Sequence, residues 1–374
     1  MTAWLRVEQQ ARGAVGDGVT PALSFRVLRG VTVEYALDCG RLGIEADAPP
    51  TRQDTVFDLA SLTKPLTTWL WALRALERGL WDLESRIGDL VTVADPALAR
   101  CDVTRLLTHT TGLPAHRAYF HGLLPWVRAT RDFSGVAETI RRMVRRTPLE
   151  QAPGEQETYS DVGFLLLENV LETVDQPLSR VWPTLPLHGP SALHFRPLVA
   201  PMGEARPALA RVAVTERSEL RGGFMHGEVH DENAWTLGGV AGHAGLFGTA
   251  DDVAAFGRAV LDTWHGRGEP LGISTALLRE SFSPRWLHPR GTRVLGWDTP
   301  SPGASSAGHR FGKRTVGHLG FTGTSIWIDL DAEVLMVLLT NRVCPSRDDI
   351  RIRKLRPILH DAAWEALGAR GGGR

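Results

Sequence analysis

Phe57-Asp-Leu-Ala-Ser-Leu-Thr-Lys-Pro65 is the stretch on which the fold of this chain turns. It closes a short apolar run that begins at Thr55. Beyond it, Leu62, Leu66, Trp69, Leu70, Leu73 and Leu80 recur at helical spacing, with Gly79 as a stop. Pro65 falls in the first turn, where a missing amide proton costs little. Ser61 and Lys64 stand at i and i+3, on one face of such a helix, so the lysine amine reaches the serine hydroxyl. A serine hydroxyl is a weak nucleophile and needs a base. At the helix start it also feels the positive end of the dipole. Burial among apolar neighbours lowers a lysine pKa and favours the neutral amine. The competing bland account of the same residues is an N-capping serine and a solvated lysine. Lysine is scarce here: only Lys64, Lys313 and Lys354 occur among 42 basic residues, which makes each more informative.

Upstream, Phe25, Val27, Val31, Val33 and Tyr35 alternate around Arg29-Gly30, which predicts a hairpin. Downstream, residues 85–180 read as mostly helical, and Phe164 to Leu171 as a buried helix. The proline-rich stretch 181–207 reads as an irregular insertion. Asp251 to Leu261 predicts a helix capped by Thr249 or Asp251. Ser325 to Leu330 and Val334 to Leu339 flank a short polar turn, which predicts an antiparallel hairpin. Leu355 to Leu367 predicts a closing helix, and Gly368 to Arg374 a disordered end. The order places residues 1–84 and 235–374 in one α/β (α+β) sheet domain and 85–234 in an inserted helical domain.

The bulk numbers exclude several classes. The 374 residues carry 42 basic and 42 acidic side chains, so no net field favours nucleic acid or an anionic membrane. The arginine run 141–146 reads as a solvated helix face rather than a nucleic-acid site. The longest clean apolar run, Val334 to Leu339, is strand-sized and far short of a membrane span. The start of the sequence shows no signal peptide, so a cytoplasmic location is expected. Cys39, Cys101 and Cys344 are too scattered for a disulfide framework or a metal pair. Nothing in the sequence sets an oligomeric state.

Five ordered segments resemble the β-lactamase-related serine hydrolases, which include class C β-lactamases, serine D-Ala-D-Ala carboxypeptidases and serine esterases. They are Phe57 to Pro65, Leu106-Leu-Thr-His-Thr-Thr-Gly-Leu-Pro114, Tyr159-Ser-Asp161, Gly239-Val-Ala-Gly-His-Ala-Gly-Leu-Phe247 and His318-Leu-Gly320. The resemblance spans about residues 20–365 and implies an antiparallel sheet flanked by helices, with the active site in a cleft against the helical part. It implies an acyl-enzyme on Ser61, proton transfer by Lys64 and a phenolate-like Tyr159, and an oxyanion hole from the amides of Ser61 and Phe321. Asp161, His318 and Gly320 would line the cleft, and His109 would be structural. The chemistry calls for no cofactor and for a small-molecule ester, amide or peptide substrate.

The sequence also departs from the family pattern. Asp161 stands where an asparagine amide is expected; an ionised carboxylate cannot donate a hydrogen bond, and its charge favours protonated Lys64. His318-Leu319 replaces the Lys-Thr pair that grips a substrate carboxylate, although a histidine at 318 can still be cationic. Weak β-lactam hydrolysis and better ester turnover are therefore expected. Two other functions compete. His226, His230, Asp231 and His243 offer metal-ligand types, so a metal-dependent hydrolase using His226, His230 and His243 is one alternative, with a structural cleft wall as the blander account. A catalytically inactive penicillin-binding-like module is the other. An α/β-hydrolase is disfavoured, because no Gly-x-Ser-x-Gly elbow occurs.

Overall fold

A computed structural model of the chain describes residues 4–130, 132–186, 193–198 and 209–371. Its strands, in chain order, are β1 (Ala22–Arg29), β2 (Thr32–Gly40), β3 (Phe57–Asp58), β4 (His194–Phe195), β5 (Arg217–Ser218) and β6 (Gly223–Phe224). They continue with β7 (Leu246–Gly248), β8 (Arg293–Val294), β9 (Trp297–Asp298), β10 (Thr315–Leu319), β11 (Ser325–Asp329) and β12 (Val334–Thr340). Seven of them form one sheet in the order β2-β1-β12-β11-β10-β9-β8, with every pair antiparallel. Strand β1 and the last strand, β12, pair inside the sheet, one strand in from its β2 edge, where Leu23 faces Thr340 and Arg29 faces Val334.

Strand β12 is buried along its whole length. Val334, Met336 and Leu338 pack on one face with Phe25 and Leu359, while Leu335, Val337 and Leu339 join the core on the other. The alternation of side chains across a pleated strand explains why an unbroken apolar run is needed there. The first face is covered by the helix Leu5–Gly16 and the closing helix Ile352–Gly371. Facing the opposite core is the helix Ala250–Trp264, whose Thr249 cap accepts from the Asp252 amide while the Asp252 carboxylate accepts from that of Thr249.

The hairpin, the β11–β12 pair and the capped helix agree with the sequence expectations. The N-terminal helix was not expected, because its buried stripe is only Val7, Ala11 and Ala14 in an otherwise polar segment. The closing helix runs on to Gly371, where a disordered end was expected; residues 372–374 lie outside the described residues. Of the proline-rich insertion, 187–192 and 199–207 also lie outside them, and β4 falls between. Within 85–234 the most buried helix is Asp161–Val174, capped by the Ser160 hydroxyl, which accepts from the Gly163 amide. A small sheet, β3-β7-β4, joins this region to the segment before Ser61.

That segment is not a simple helix. Ala60–Leu62 forms a tight 3₁₀ turn, Lys64–Trp69 a wider π turn, and only Leu70–Glu77 is α-helical. Ala60 has φ of +48°, a strained value for a residue with a side chain. The Asp58 carboxylate, which accepts from the Ala60 amide at 2.8 Å and the His230 amide at 2.6 Å, holds that backbone.

Candidate active site

Ser61 opens onto a cavity of about 600 Å³, which Tyr159, Asp161, His318, Gly320 and Phe321 also line. Lys64 sits behind it, fully buried. Its Nζ donates to Ser61 Oγ at 3.0 Å, to Asp161 Oδ1 at 2.6 Å and to the His243 carbonyl at 3.1 Å. Three acceptors match the three N–H bonds of an ammonium. Burial pulls the Lys64 pKa down, but the Asp161 charge outweighs it and the net shift is upward. The neutral amine expected from burial alone is therefore replaced by an ion-paired ammonium. Burial likewise pushes against ionised Asp161, and the Lys64 charge with a His116 contact overrides it, so the carboxylate stays ionised well below its usual range.

Tyr159 corrects the sequence expectation. Burial raises its pKa, and the opposing pull of Lys64 does not offset it, so the side chain is a neutral phenol rather than a phenolate. The ring is held by His109 at 4.7 Å between centroids and by Arg293, whose guanidinium carbon lies 5.0 Å from the ring centre. His109 Nδ1 accepts from the Ser160 amide at 3.0 Å, and burial keeps its ring neutral. Its backbone takes φ of +57° to do so. Glu157 anchors Arg293 by an ion pair of 2.5 Å. No spacing in the sequence marks Arg293, which arrives from β8.

His318 also differs from expectation. Burial first, then the charges of Lys64 and Arg293, push its pKa to about 3, so it is a neutral imidazole. Its Nδ1 lies 2.9 Å from the Leu319 carbonyl. No cation stands at position 318.

The turn after β10 is stitched to the segment before Ser61. The Thr322 hydroxyl donates to the Asp58 carbonyl at 2.7 Å and the Thr324 hydroxyl to that of Leu59 at 3.0 Å. Gly320 admits no side chain: a Cβ there would lie 2.0 Å from Thr324 Oγ1 and 2.6 Å from the Leu59 oxygen. Among the described residues, no group accepts from the backbone amides of Ser61 or Phe321. Both residues line the cavity, and the turn that carries Phe321 is braced against the segment that carries Ser61.

The histidine cluster does not converge. His226 Nε2 sits between the carbonyls of Leu209 and Val212, at 3.0 and 2.9 Å. His230 pairs with Glu216 at 3.0 Å, and His243 with Asp231 at 2.9 Å. These separate partners do not bring together the set that the metal-dependent alternative needs from His226, His230 and His243. A different trio, His116, Asp161 and Asp231, brings ligand-type atoms within 4.8 Å of one another, but both its carboxylates already hold Lys64 or His243. Among the described residues, no helix is long and apolar enough to cross a membrane.

Known proteins resemble this one along most of its length. The family model described as Beta-lactamase matches residues 7–359. A Salmonella paratyphi A protein named "Putative D-alanyl-D-alanine carboxypeptidase" is 30% identical over 318 residues, covering 77% of this chain and 70% of the relative. Among solved structures, the hydrolase EstCE1, described as having promiscuous acyltransferase activity, superposes with a TM-score of 0.69 at 21% identity, over 94% of this chain and 97% of the other. The octameric penicillin-binding protein homologue from Pyrococcus abyssi gives 0.71 at 19% identity, over 97% and 77%. At those identities the structural matches speak to the fold alone.

Proposed function

The chain belongs to the β-lactamase family of hydrolases, and from that premise we propose that it is a serine hydrolase working through an acyl-enzyme on Ser61. The observation that carries the proposal is the 3.0 Å hydrogen bond from Lys64 Nζ to Ser61 Oγ beside the open cavity.

The steps follow from the protonation states. A substrate carbonyl oxygen docks between the Ser61 and Phe321 amides, which stabilise the charge that develops on it. Attack by Ser61 Oγ needs an acceptor for its proton. Lys64 serves once it has released the extra proton that Asp161 holds on it, so the attacking form is a minor, deprotonated one. Tyr159, a neutral phenol, is suited to donate to the leaving group, and Lys64 then restores the phenol. Water repeats the sequence in reverse on the acyl-enzyme.

Ester, amide or peptide substrates fit this scheme, with β-lactams poorly turned over. The neutral ring of His318 and the apolar side chain of Leu319 provide neither the permanent charge nor the hydroxyl that would grip a β-lactam carboxylate at this strand.

The test is incubation with a p-nitrophenyl ester and a fluorescent penicillin, comparing wild type with Ser61→Ala. Ester turnover and labelling are expected to disappear in the variant. Turnover that survives in Ser61→Ala would sink the mechanism, and penicillin hydrolysis as fast as ester hydrolysis would sink the substrate preference.

A further inference from the structure

The turn that carries the Phe321 amide is held by a buried arginine that also borders the cavity. Arg356, on the closing helix, is 5% exposed. Among the described residues it forms no ion pair with a carboxylate, and its Nε has no hydrogen-bond partner. Burial, with the like charges of Arg342 and Arg353, pushes its pKa down to about 9. A cation kept from water without a counter-charge is costly, so an ordinary structural role is a poor explanation for it.

Its contacts supply another. Arg356 Nη2 donates to the Gly320 carbonyl at 3.0 Å and to the Thr324 carbonyl at 2.9 Å. The Gly320 carbonyl belongs to the same peptide unit as the Phe321 N–H. The Gly320 amide donates to the Thr324 carbonyl at 2.8 Å, and Arg342 Nε donates to the Phe321 carbonyl at 2.8 Å. The peptide units on both sides of Phe321 are therefore fixed by guanidinium groups.

We propose that Arg356 is a positioning residue for the oxyanion hole, locking the 320–321 peptide plane and polarising it so that the Phe321 N–H becomes a stronger donor. A charge-assisted hydrogen bond on a carbonyl oxygen draws electron density from the amide nitrogen, and linked hydrogen bonds strengthen one another in a low-dielectric site. The benefit appears when negative charge develops on the substrate oxygen, which places it in the transition state rather than in substrate binding. The inference rests on the acyl-enzyme reading given above.

The experiment compares wild type, Arg356→Lys and Arg356→Met with a p-nitrophenyl ester. Rates are expressed per active site titrated with a fluorophosphonate, and affinity for phenylboronic acid, which forms a tetrahedral adduct on a serine, is measured alongside. Removing an oxyanion donor outright costs on the order of 10²–10³ in kcat. Weakening one in Arg356→Met is expected to lower kcat by roughly 10- to 100-fold with KM little changed, and to weaken phenylboronic acid in parallel. Arg356→Lys, which keeps the charge but loses the planar fork, should fall between. An unchanged kcat per titrated site, even with a lowered Tm, would mean that Arg356 only anchors the turn and would overturn the proposal. So would a fall in kcat with boronic acid affinity intact. If Arg356→Met does not fold, the same two readouts on Arg356→Lys decide. Turnover surviving in Ser61→Ala sinks this inference together with the acyl-enzyme reading; an inactive Ser61→Ala beside a fully active Arg356→Met sinks this inference alone.

Discussion

Lys64 Nζ lies 2.6 Å from Asp161 Oδ1, closer than its 3.0 Å contact with Ser61 Oγ. The lysine that should take the serine proton is thus held as an ammonium by a carboxylate where the family pattern has an amide. Replacing that carboxylate in Asp161→Asn removes the attraction that raises the Lys64 pKa and leaves burial to lower it. The acid limb of kcat/KM for an ester should move toward lower pH, on the order of one to three units. A pH–rate profile checks this; a limb that stays in place, or moves upward, contradicts it.

His318 is already neutral, with its pKa pushed down to about 3 by burial and neighbouring charge. A neutral glutamine in its place should leave the shape of the ester profile unchanged between about pH 5 and 8, where an unperturbed histidine would titrate. Overlaid profiles of wild type and His318→Gln test this. A limb near neutrality that vanishes in the variant would show that the imidazole does titrate.

Gly320 faces Thr324 Oγ1 and the Leu59 oxygen too closely for any Cβ. Gly320→Ala must push the turn off the nucleophile segment and carry the Phe321 amide with it. The expected loss in kcat is on the order of 10²–10³, that of a missing oxyanion donor. Steady-state kinetics per folded molecule, with folding followed by circular dichroism, would measure it.

Glu216 links His230 to Arg347, two residues on the wall of the cavity that Ser61 also lines. Burial alone would raise its pKa, but those two hydrogen bonds bring it down to about 2. The folded value lies below the unfolded value of about 4.3, so the group stabilises the fold above that pH and loses its contribution as the pH falls toward 2. The Tm difference between wild type and Glu216→Gln should therefore be largest near neutrality and shrink on acidification. A difference that is constant with pH would contradict the linkage.

The sequence made the scaffold legible wherever one short segment decided the outcome. The Thr249 cap, the β11–β12 run and the Ser61–Lys64 spacing are local signals, and each appears in the structure where the local chemistry places it. The protonation states were legible only in part, because they depend on neighbours distant in the chain: the charge at Asp161 already pointed to a protonated Lys64, whereas the states of Tyr159 and His318 came out differently. Asp161 is 97 positions from Lys64, and Arg293 reaches Tyr159 from another strand. In the sequence a charged histidine at 318 reads as accessible, and a phenolate at Tyr159 as supported by nearby cations. In each case the balance between desolvation and specific charges decided otherwise. The metal alternative failed for a related reason: residue types close in sequence, such as His226 and His230, point to separate partners.

The hydroxyls of Thr322 and Thr324, which fasten the β10 turn to Asp58 and Leu59, also set a schedule. The nucleophile leaves the ribosome early, whereas its brace and the β12 partner of β1 emerge more than 250 residues later. Until then the turn carrying Phe321 cannot sit beside Ser61, and on the acyl-enzyme proposal a nascent chain should not turn over an ester. Activity should switch on late, with the closing strands of a sheet in which β1 pairs with a strand more than 300 residues later, an arrangement that folds slowly because its key contacts are so far apart in sequence.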